Sequence, residues 1–137
     1  MSSPGPSPTE LVQSLYEAIN ARDYEAGFAL LDPDFEWLEP QTLLGGDHRG
    51  LGEVREGIQA QLEVWDEFTI EPEEFHEVGD RVAVPIRQRA RGCSSGAAVE
   101  IRIGHLWTVR DGKVIRLEVF PAREDARKAA ESRPFAA

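Results

Sequence analysis

A regular alternation of apolar and polar residues over positions 98–120 constrains the fold more than any other part of the sequence. From Val99 to Val109 the odd-numbered residues are apolar, except for His105, and most residues between them are polar. After a turn, the alternation resumes at Ile115, Leu117 and Val119. A period of two residues is typical of half-buried β-strands. The stretch therefore predicts a β-hairpin with one histidine on its apolar face.

The length of the turn decides which residues of this hairpin face each other. A two-residue loop would place His105 opposite Glu118 and set the apolar face of one strand beside the charged face of the other. A three-residue loop at 110–112 would place His105 opposite Leu117, so that the two apolar faces coincide. We therefore predict the three-residue loop, which leaves the imidazole among aliphatic and aromatic neighbours.

The rest of the chain predicts helices before the hairpin and strands leading into it. Ser7, Pro8 and Glu10 have the pattern of a capping box with proline at the first helical position. The expected elements are a helix to about residue 21, a second at 23–31, a strand at 35–40, a glycine-rich loop at 43–50, a third helix at 51–65, strands at 68–78 (interrupted at Pro72) and 81–91, the hairpin, and a short helix at 123–131. Helices on one face of a curved, mostly antiparallel sheet make an α+β roll.

Composition excludes several classes of partner and site. The 137 residues carry a net charge of −10, which argues against a nucleic-acid or anionic-membrane surface. The single cysteine, Cys93, excludes an intramolecular disulfide and a cysteine-rich metal site. No apolar run approaches membrane-spanning length, and the first residues lack the pattern of a signal peptide. We expect a cytoplasmic protein with one domain over residues 9–131, a flexible arm at 1–8 and a flexible tail at 132–137.

Two titratable residues lie on predicted apolar strand faces. Glu39 shares a face with Phe35 and Trp37 and is either a solvated rim residue or a base whose pKa is raised by apolar surroundings. His105 is either a core histidine satisfied by one hydrogen bond or an acid–base or oxyanion-stabilising group. Two such residues on inward faces of different strands are a stronger signal than either alone.

Three phrases of the sequence resemble a known family. They are LYEAINARDYEAGFALLDPDFEWLEP, HRGLGEVREGI and HLWTVRDGKVIRLEVF. In this order they resemble the SnoaL-like, ketosteroid-isomerase-like branch of the nuclear transport factor two superfamily, from about Thr9 to Glu124. The resemblance implies a cone of curved sheet packed against three helices of the N-terminal half, with a pocket inside, and commonly a dimer.

The resemblance also implies roles for individual residues. The general-base carboxylate of ketosteroid isomerases, just before a proline, corresponds to Glu39, and their protonated acid before the last hairpin turn corresponds to His105. Their helix-one tyrosine falls near Tyr16. Because a histidine replaces the acid, steroid isomerisation itself is not implied. Polyketide cyclases of the family use a pocket acid–base residue to drive an aldol closure without a cofactor.

These observations predict a cofactor-independent acid–base enzyme, of the isomerase, cyclase or dehydratase type, acting on a small hydrophobic carbonyl compound. Glu39 would remove a proton alpha to the carbonyl, and His105 would stabilise or protonate the enolate. The expected substrate-binding residues are Tyr16, Trp37, Trp65, Trp107, Leu117 and Val119, although the tryptophans could equally be core. The alternative is a non-catalytic module of the same fold that binds a small ligand or forms dimers.

We expect a homodimer with no metal, no cofactor, no nucleic-acid partner and no membrane partner. His48 and His76 lack metal-ligand spacing with any partner. A ladder of arginines is predicted on the outward strand faces, either solvated or facing a second subunit: Arg87, Arg89, Arg91, Arg102 and Arg116.

Overall fold

The computed structural model describes residues 5–39 and 46–132. This part of the chain forms four helices, α1 (Pro8–Asn20), α2 (Tyr24–Ala29), α3 (Gly50–Val64) and α4 (Arg123–Ser132). Its seven strands are β1 (Leu31–Leu38), β2 (His48–Arg49), β3 (Trp65–Pro72), β4 (His76–Val78), β5 (Arg81–Gly92), β6 (Ala98–Arg110) and β7 (Lys113–Phe120). The α+β prediction is confirmed. Within the described ranges, no helix is long and apolar enough to cross a membrane.

Helix α1 begins where the capping box predicts. The Ser7 hydroxyl accepts from the Glu10 amide at 3.1 Å, and the Glu10 carboxylate accepts from the Ser7 amide at 3.0 Å. The helix ends against the sheet, because the side-chain amide of Asn20 exchanges two hydrogen bonds with the backbone of Ile70 in β3. These contacts hold the apolar face of α1, including Tyr16, against the sheet.

All seven strands belong to one curved sheet. Its order is β2-β1-β7-β6-β5-β3, with β4 paired to β5 beyond the end of β3. The predicted antiparallel meander, with its interruption after Pro72, is confirmed. β1 joins this meander parallel to β7. It begins at Leu31 rather than at the predicted Phe35. The residues that were expected to lie between α2 and this strand already belong to the strand.

The predicted register of the hairpin is wrong. Arg110 pairs with Lys113, so the loop has two residues, both with positive φ. A β-bulge then inserts one extra residue, Ile115, into β7 and shifts the register between the two strands. His105 therefore lies opposite Val119 rather than Leu117. The bulge does what the longer loop was expected to do, because it brings the two apolar faces to the same side.

The three helices of the N-terminal half lie on one face of the sheet, as predicted, and the fourth helix covers the other face. Helices α1, α2 and α3 pack on the inner face, whereas α4 packs on the outer face of β5 and β6. The buried guanidinium of Arg81 docks α4 by donating to the carbonyls of Ala129 at 2.9 Å and Ala130 at 2.6 Å. The even-numbered residues of β6 beneath α4, Gly104, Leu106 and Thr108, are therefore buried too.

Some predictions fall outside the described residues. The end of the first strand at Pro40, the beginning of the glycine-rich loop and most of the proposed arm and tail belong to this group. The limits of the domain thus stay a prediction.

Candidate functional site

The inner face of the sheet does not pack fully against the helices. A cavity of about 540 Å³ remains between them, lined mainly by apolar side chains of α1, α2, α3 and the strands facing them. This is within the usual size range of small-molecule sites. Its polar lining includes the side chains of Glu39, Gln61, Gln88 and His105.

Glu39 and His105 lie in one row across the sheet. Trp37 pairs with Leu117, so Glu39, two residues later, is level with Val119, and Val119 pairs with His105. Neighbouring strands are about 4.8 Å apart, so the two backbones are separated by about 10 Å. Both side chains line the same cavity, with room for a small molecule between them.

The carboxyl group of Glu39 is held in a largely apolar environment. Burial raises its pKa from the ordinary 4.5 to about 7, and the indole N–H of Trp37 opposes part of this shift. That indole nitrogen is buried and makes no hydrogen bond of ordinary geometry with any described residue. The backbone amide of Glu39 donates to Asp47 at 3.1 Å, which anchors the residue just past the end of β1. Near neutral pH, Glu39 can therefore both lose and regain a proton.

His105 is neutral near pH 7. Burial lowers its pKa to about 3. Its Nδ1 atom lies 2.8 Å from the hydroxyl oxygen of Tyr16, and that oxygen accepts a hydrogen bond from Nε1 of Trp107 at 2.7 Å. Burial also raises the pKa of Tyr16, so its hydroxyl keeps its proton. The site thus combines a carboxyl group that titrates near neutrality with an uncharged imidazole.

The structure brings most of the predicted binding residues to the cavity. Trp37, Trp107, Leu117 and Val119 line it. Tyr16 does not line it but lies behind His105, to which it is hydrogen bonded. Trp65 is away from the cavity, contrary to prediction. Helix α3 ends at Val64, so Trp65 is extended and starts β3 instead of continuing the apolar stripe of the helix.

The prediction from sequence missed two polar residues of the lining, Gln61 and Gln88. Gln88 has the same parity in β5 as Val84 and Ile86, so it is a polar residue on an apolar face. Such a polar residue on an apolar strand face gives the same sequence signal as His105. Gln61 lies three residues after Ile58 on the apolar stripe of α3, where helical spacing gives the same signal.

The described residues offer no obvious metal site. Among residues 5–39 and 46–132, no three histidine, cysteine, aspartate or glutamate side chains are grouped so as to hold a metal ion. His48 instead packs against Trp37, with ring centroids 4.9 Å apart and ring planes tilted by 39°.

Comparison with protein families identifies the chain. The SnoaL-like domain matches residues 12–117, which is most of the sequence. The chain belongs to the SnoaL-like family. A comparison with curated proteins gives no match.

Solved structures agree with this assignment. TerC, crystallised with polyporic acid, is 29% identical, with a TM-score of 0.76, covering 91% of this chain and 98% of its own. An NTF2-like protein of unknown function from Burkholderia pseudomallei K96243 is 26% identical, with a TM-score of 0.77 and coverage of 88% and 95%. An NTF2-like protein from Burkholderia thailandensis E264 is 29% identical, with a TM-score of 0.77 and coverage of 84% and 90%.

Proposed function

We propose that this SnoaL-like protein is a cofactor-independent acid–base enzyme acting on a small hydrophobic carbonyl compound. One observation carries the proposal. A carboxyl group with a pKa of about 7, on Glu39, and a neutral imidazole, on His105, line the same largely apolar cavity about one small substrate apart. A general base is most effective when its pKa is close to the working pH.

In this mechanism Glu39 removes a proton from the carbon alpha to the carbonyl. The negative charge that develops on the carbonyl oxygen is stabilised by a hydrogen bond from His105. With a pKa of about 3, His105 is better suited to donating a hydrogen bond than to releasing a proton. If the enolate takes the proton back at another carbon, the result is isomerisation. If its carbon attacks a second carbonyl of the same molecule, the result is cyclisation. If it expels a hydroxyl group from the neighbouring carbon as water, the result is dehydration.

The shape of the cavity supports a compact, mostly apolar substrate. Its volume of about 540 Å³ is bounded by aromatic and aliphatic side chains, and its polar groups are few. TerC, the 29% identical relative, was crystallised with polyporic acid. A ring compound that carries an oxygen function fits both observations.

Exchange of alpha hydrogens for deuterium tests the first step directly. β-Tetralone serves as the probe, and its exchange in heavy water is followed by NMR. The wild-type protein should accelerate exchange, and Glu39→Gln, which keeps the shape but removes the base, should slow it by about 100-fold or more. His105→Asn should also slow it. Glu71→Gln, which changes an exposed glutamate of β3, is the matched control.

Exchange that is as fast with Glu39→Gln as with the wild type would overturn the catalytic proposal. If β-tetralone binds but its exchange is no faster than in buffer, the alternative takes its place. The protein would then be a non-catalytic module that binds a small ligand in the same cavity.

We also propose a homodimer packed partly through the outer sheet face. Arg89 and Arg102 of this face are both about half exposed and both contact Glu100, so a second copy could extend the alternating charges. Light scattering should give about twice the monomer mass of 15.3 kDa at micromolar concentration. A mass near that of the monomer would contradict the proposal.

A cytoplasmic location forms part of the same proposal. Cys93 is an exposed free thiol, and thiols of this kind stay reduced in the cytoplasm. Cell fractionation would test the location.

A further inference from the structure

Three buried side chains form a short hydrogen-bonded chain at the wall of the cavity, which two of them, His105 and Trp107, line. Nε1 of Trp107 is 2.7 Å from the hydroxyl oxygen of Tyr16, which is 2.8 Å from Nδ1 of His105. All three residues are at most 4% exposed. They come from α1 and β6, which are remote in sequence, so the chain exists only in the folded protein.

The chemistry of the three groups fixes the direction of this chain. An indole N–H can only donate, so the Tyr16 oxygen is the acceptor for Trp107. The Tyr16 proton must then be donated to another group, and Nδ1 of His105 is the only acceptor available to it among the described residues. The opposite arrangement would leave a buried hydroxyl proton unpaired, which is costly. Nδ1 is therefore unprotonated and accepts.

A neutral imidazole carries one proton, so this proton lies on Nε2. Within the described part of the chain, Nε2 makes no hydrogen bond. It is also not one of the fully buried polar atoms that lack a partner, so part of its surface is accessible. Because His105 lines the cavity and its Nδ1 atom is occupied by Tyr16, Nε2 is the ring nitrogen available to a ligand in the cavity.

We infer that Trp107 and Tyr16 are positioning residues that hold His105 in the Nε2–H form, so that the cavity selects ligands with an acceptor oxygen at Nε2. This inference deepens the proposed function and rests on it for the identity of the oxygen as a carbonyl. It also specifies that His105 donates a hydrogen bond throughout the reaction and neither takes up nor releases a proton.

Nitrogen NMR of the imidazole tests the positioning role without any activity. The sequence has only three histidines, and His105→Gln identifies the signal that belongs to His105. In the wild type near neutral pH, we expect a protonated Nε2 and an Nδ1 signal moved by hydrogen bonding. Tyr16→Phe should return the Nδ1 signal toward that of a free, unprotonated ring nitrogen. Tyr24→Phe removes the hydroxyl of the other tyrosine, which lines the cavity without a hydrogen bond to His105, and should leave the His105 signals unchanged.

A second variant keeps the test decisive if Tyr16→Phe does not fold. Trp107→Phe removes the group that commits the Tyr16 oxygen to accepting, so both ring forms of His105 become possible and a mixture should appear. Trp65→Phe, at a tryptophan outside the cavity, is its control and should preserve the single form. A proton on Nδ1 in the wild type, or no change of the Nδ1 signal in either variant that folds, would overturn the inference.

Selectivity for an acceptor oxygen is measured with two probes of the same shape, β-tetralone and its hydrocarbon tetralin. One hydrogen bond should make the wild type bind the ketone about fivefold more tightly. His105→Leu, which fills the space without a donor, should abolish this preference. Equal binding of both probes by the wild type would refute the inferred donor. If the preference holds while Glu39→Gln leaves deuterium exchange unchanged, the inference stands and the catalytic proposal fails.

Discussion

From Ile103 to Val109, strand β6 is buried on both faces, and the two faces differ in what covers them. On the inner face, Ile103, His105 and Trp107 point toward a cavity of about 540 Å³. On the outer face, Gly104 and Leu106 pack directly against the alanines of α4. Large side chains of the inner face line the cavity, whereas small side chains of the outer face lie in close contact with α4.

The difference separates binding from structural support within a single element. Small residues let the backbones of β6 and α4 approach closely, so the outer face has little room to change. The inner face carries the titratable and polar groups, and its packing is incomplete. Because α4 packs closely on the outer face, it supports the strand from that side while the inner face lines the cavity.

A matched pair of leucines should show the largest effect of this difference. Leu106 is completely buried under α4, whereas Leu117 lies beside the cavity. Leu106→Ala should lower the free energy of unfolding by about 2–5 kcal/mol, because it opens a new cavity in a close-packed region. Leu117→Ala should cost less, since it only enlarges an existing one. Urea unfolding measures both, and an equal or larger loss for Leu117→Ala would break the comparison.

A glycine of the outer face should tolerate no side chain. A Cβ atom at Gly104 would lie 2.9 Å from that of Ala126 and 3.0 Å from the carbonyl of Arg123. Gly104→Ala should therefore cost about 1–3 kcal/mol of unfolding free energy. Gly52→Ala is the control, because a Cβ there has nothing within 4 Å, and it should gain about 0.5–1 kcal/mol as an exposed position of α3. Thermal unfolding in which Gly104→Ala matches the wild type would contradict close packing.

Glu39 on the inner face should make the free energy of unfolding depend on pH. We expect this effect to be smaller than those of Leu106→Ala and Gly104→Ala. The pKa of Glu39 is raised from 4.5 to about 7 by burial, so the folded state binds its proton more tightly than the unfolded state. This stabilisation is complete below pH 4.5 and is lost as the pH rises to about 7. The full shift corresponds to about 3 kcal/mol, and water in the open cavity should reduce it to about 1–2 kcal/mol.

The measurement is urea unfolding of the wild type and of Glu39→Gln across this pH range. The difference in unfolding free energy between the two proteins should change in favour of Glu39→Gln as the pH rises. A difference that does not vary with pH would show that the pKa of Glu39 is not raised by burial. The assignment of Glu39 as the general base would then lose its main support.

Prediction from sequence succeeded where the signal is local. The capping box of Ser7 and Glu10 needs only four residues, and it forms as predicted. Alternation in the strands correctly put Glu39 and His105 on inward faces, because a side chain's face depends only on counting residues. The same counting would have found Gln88, had the polar residue in β5 been weighed as His105 was.

Failures of prediction arose where distant segments compete. The bulge at Ile115 cannot be predicted from the turn, since a two-residue loop with a bulge and a three-residue loop both align the apolar faces. The position of Trp65 depended on where α3 ends, and pairing with β5 draws that residue into β3. Burial of Leu106 was missed because the even face of β6 is covered by a helix about 20 residues later in the chain.

The order of residues alone specified the α+β class, the faces of the strands and the two titratable groups that face inward. Tertiary structure decided the pKa values, and so the protonation states, of those two groups. The sequence left open whether Glu39 is solvated or has a raised pKa, and burial in the fold raises this pKa to about 7 and lowers that of His105 to about 3. Tyr16 and His105 are 89 residues apart, and only the packing of α1 on β6 brings them within 2.8 Å. Desolvation and long-range hydrogen bonds depend on the whole fold, which is why they appear only with it.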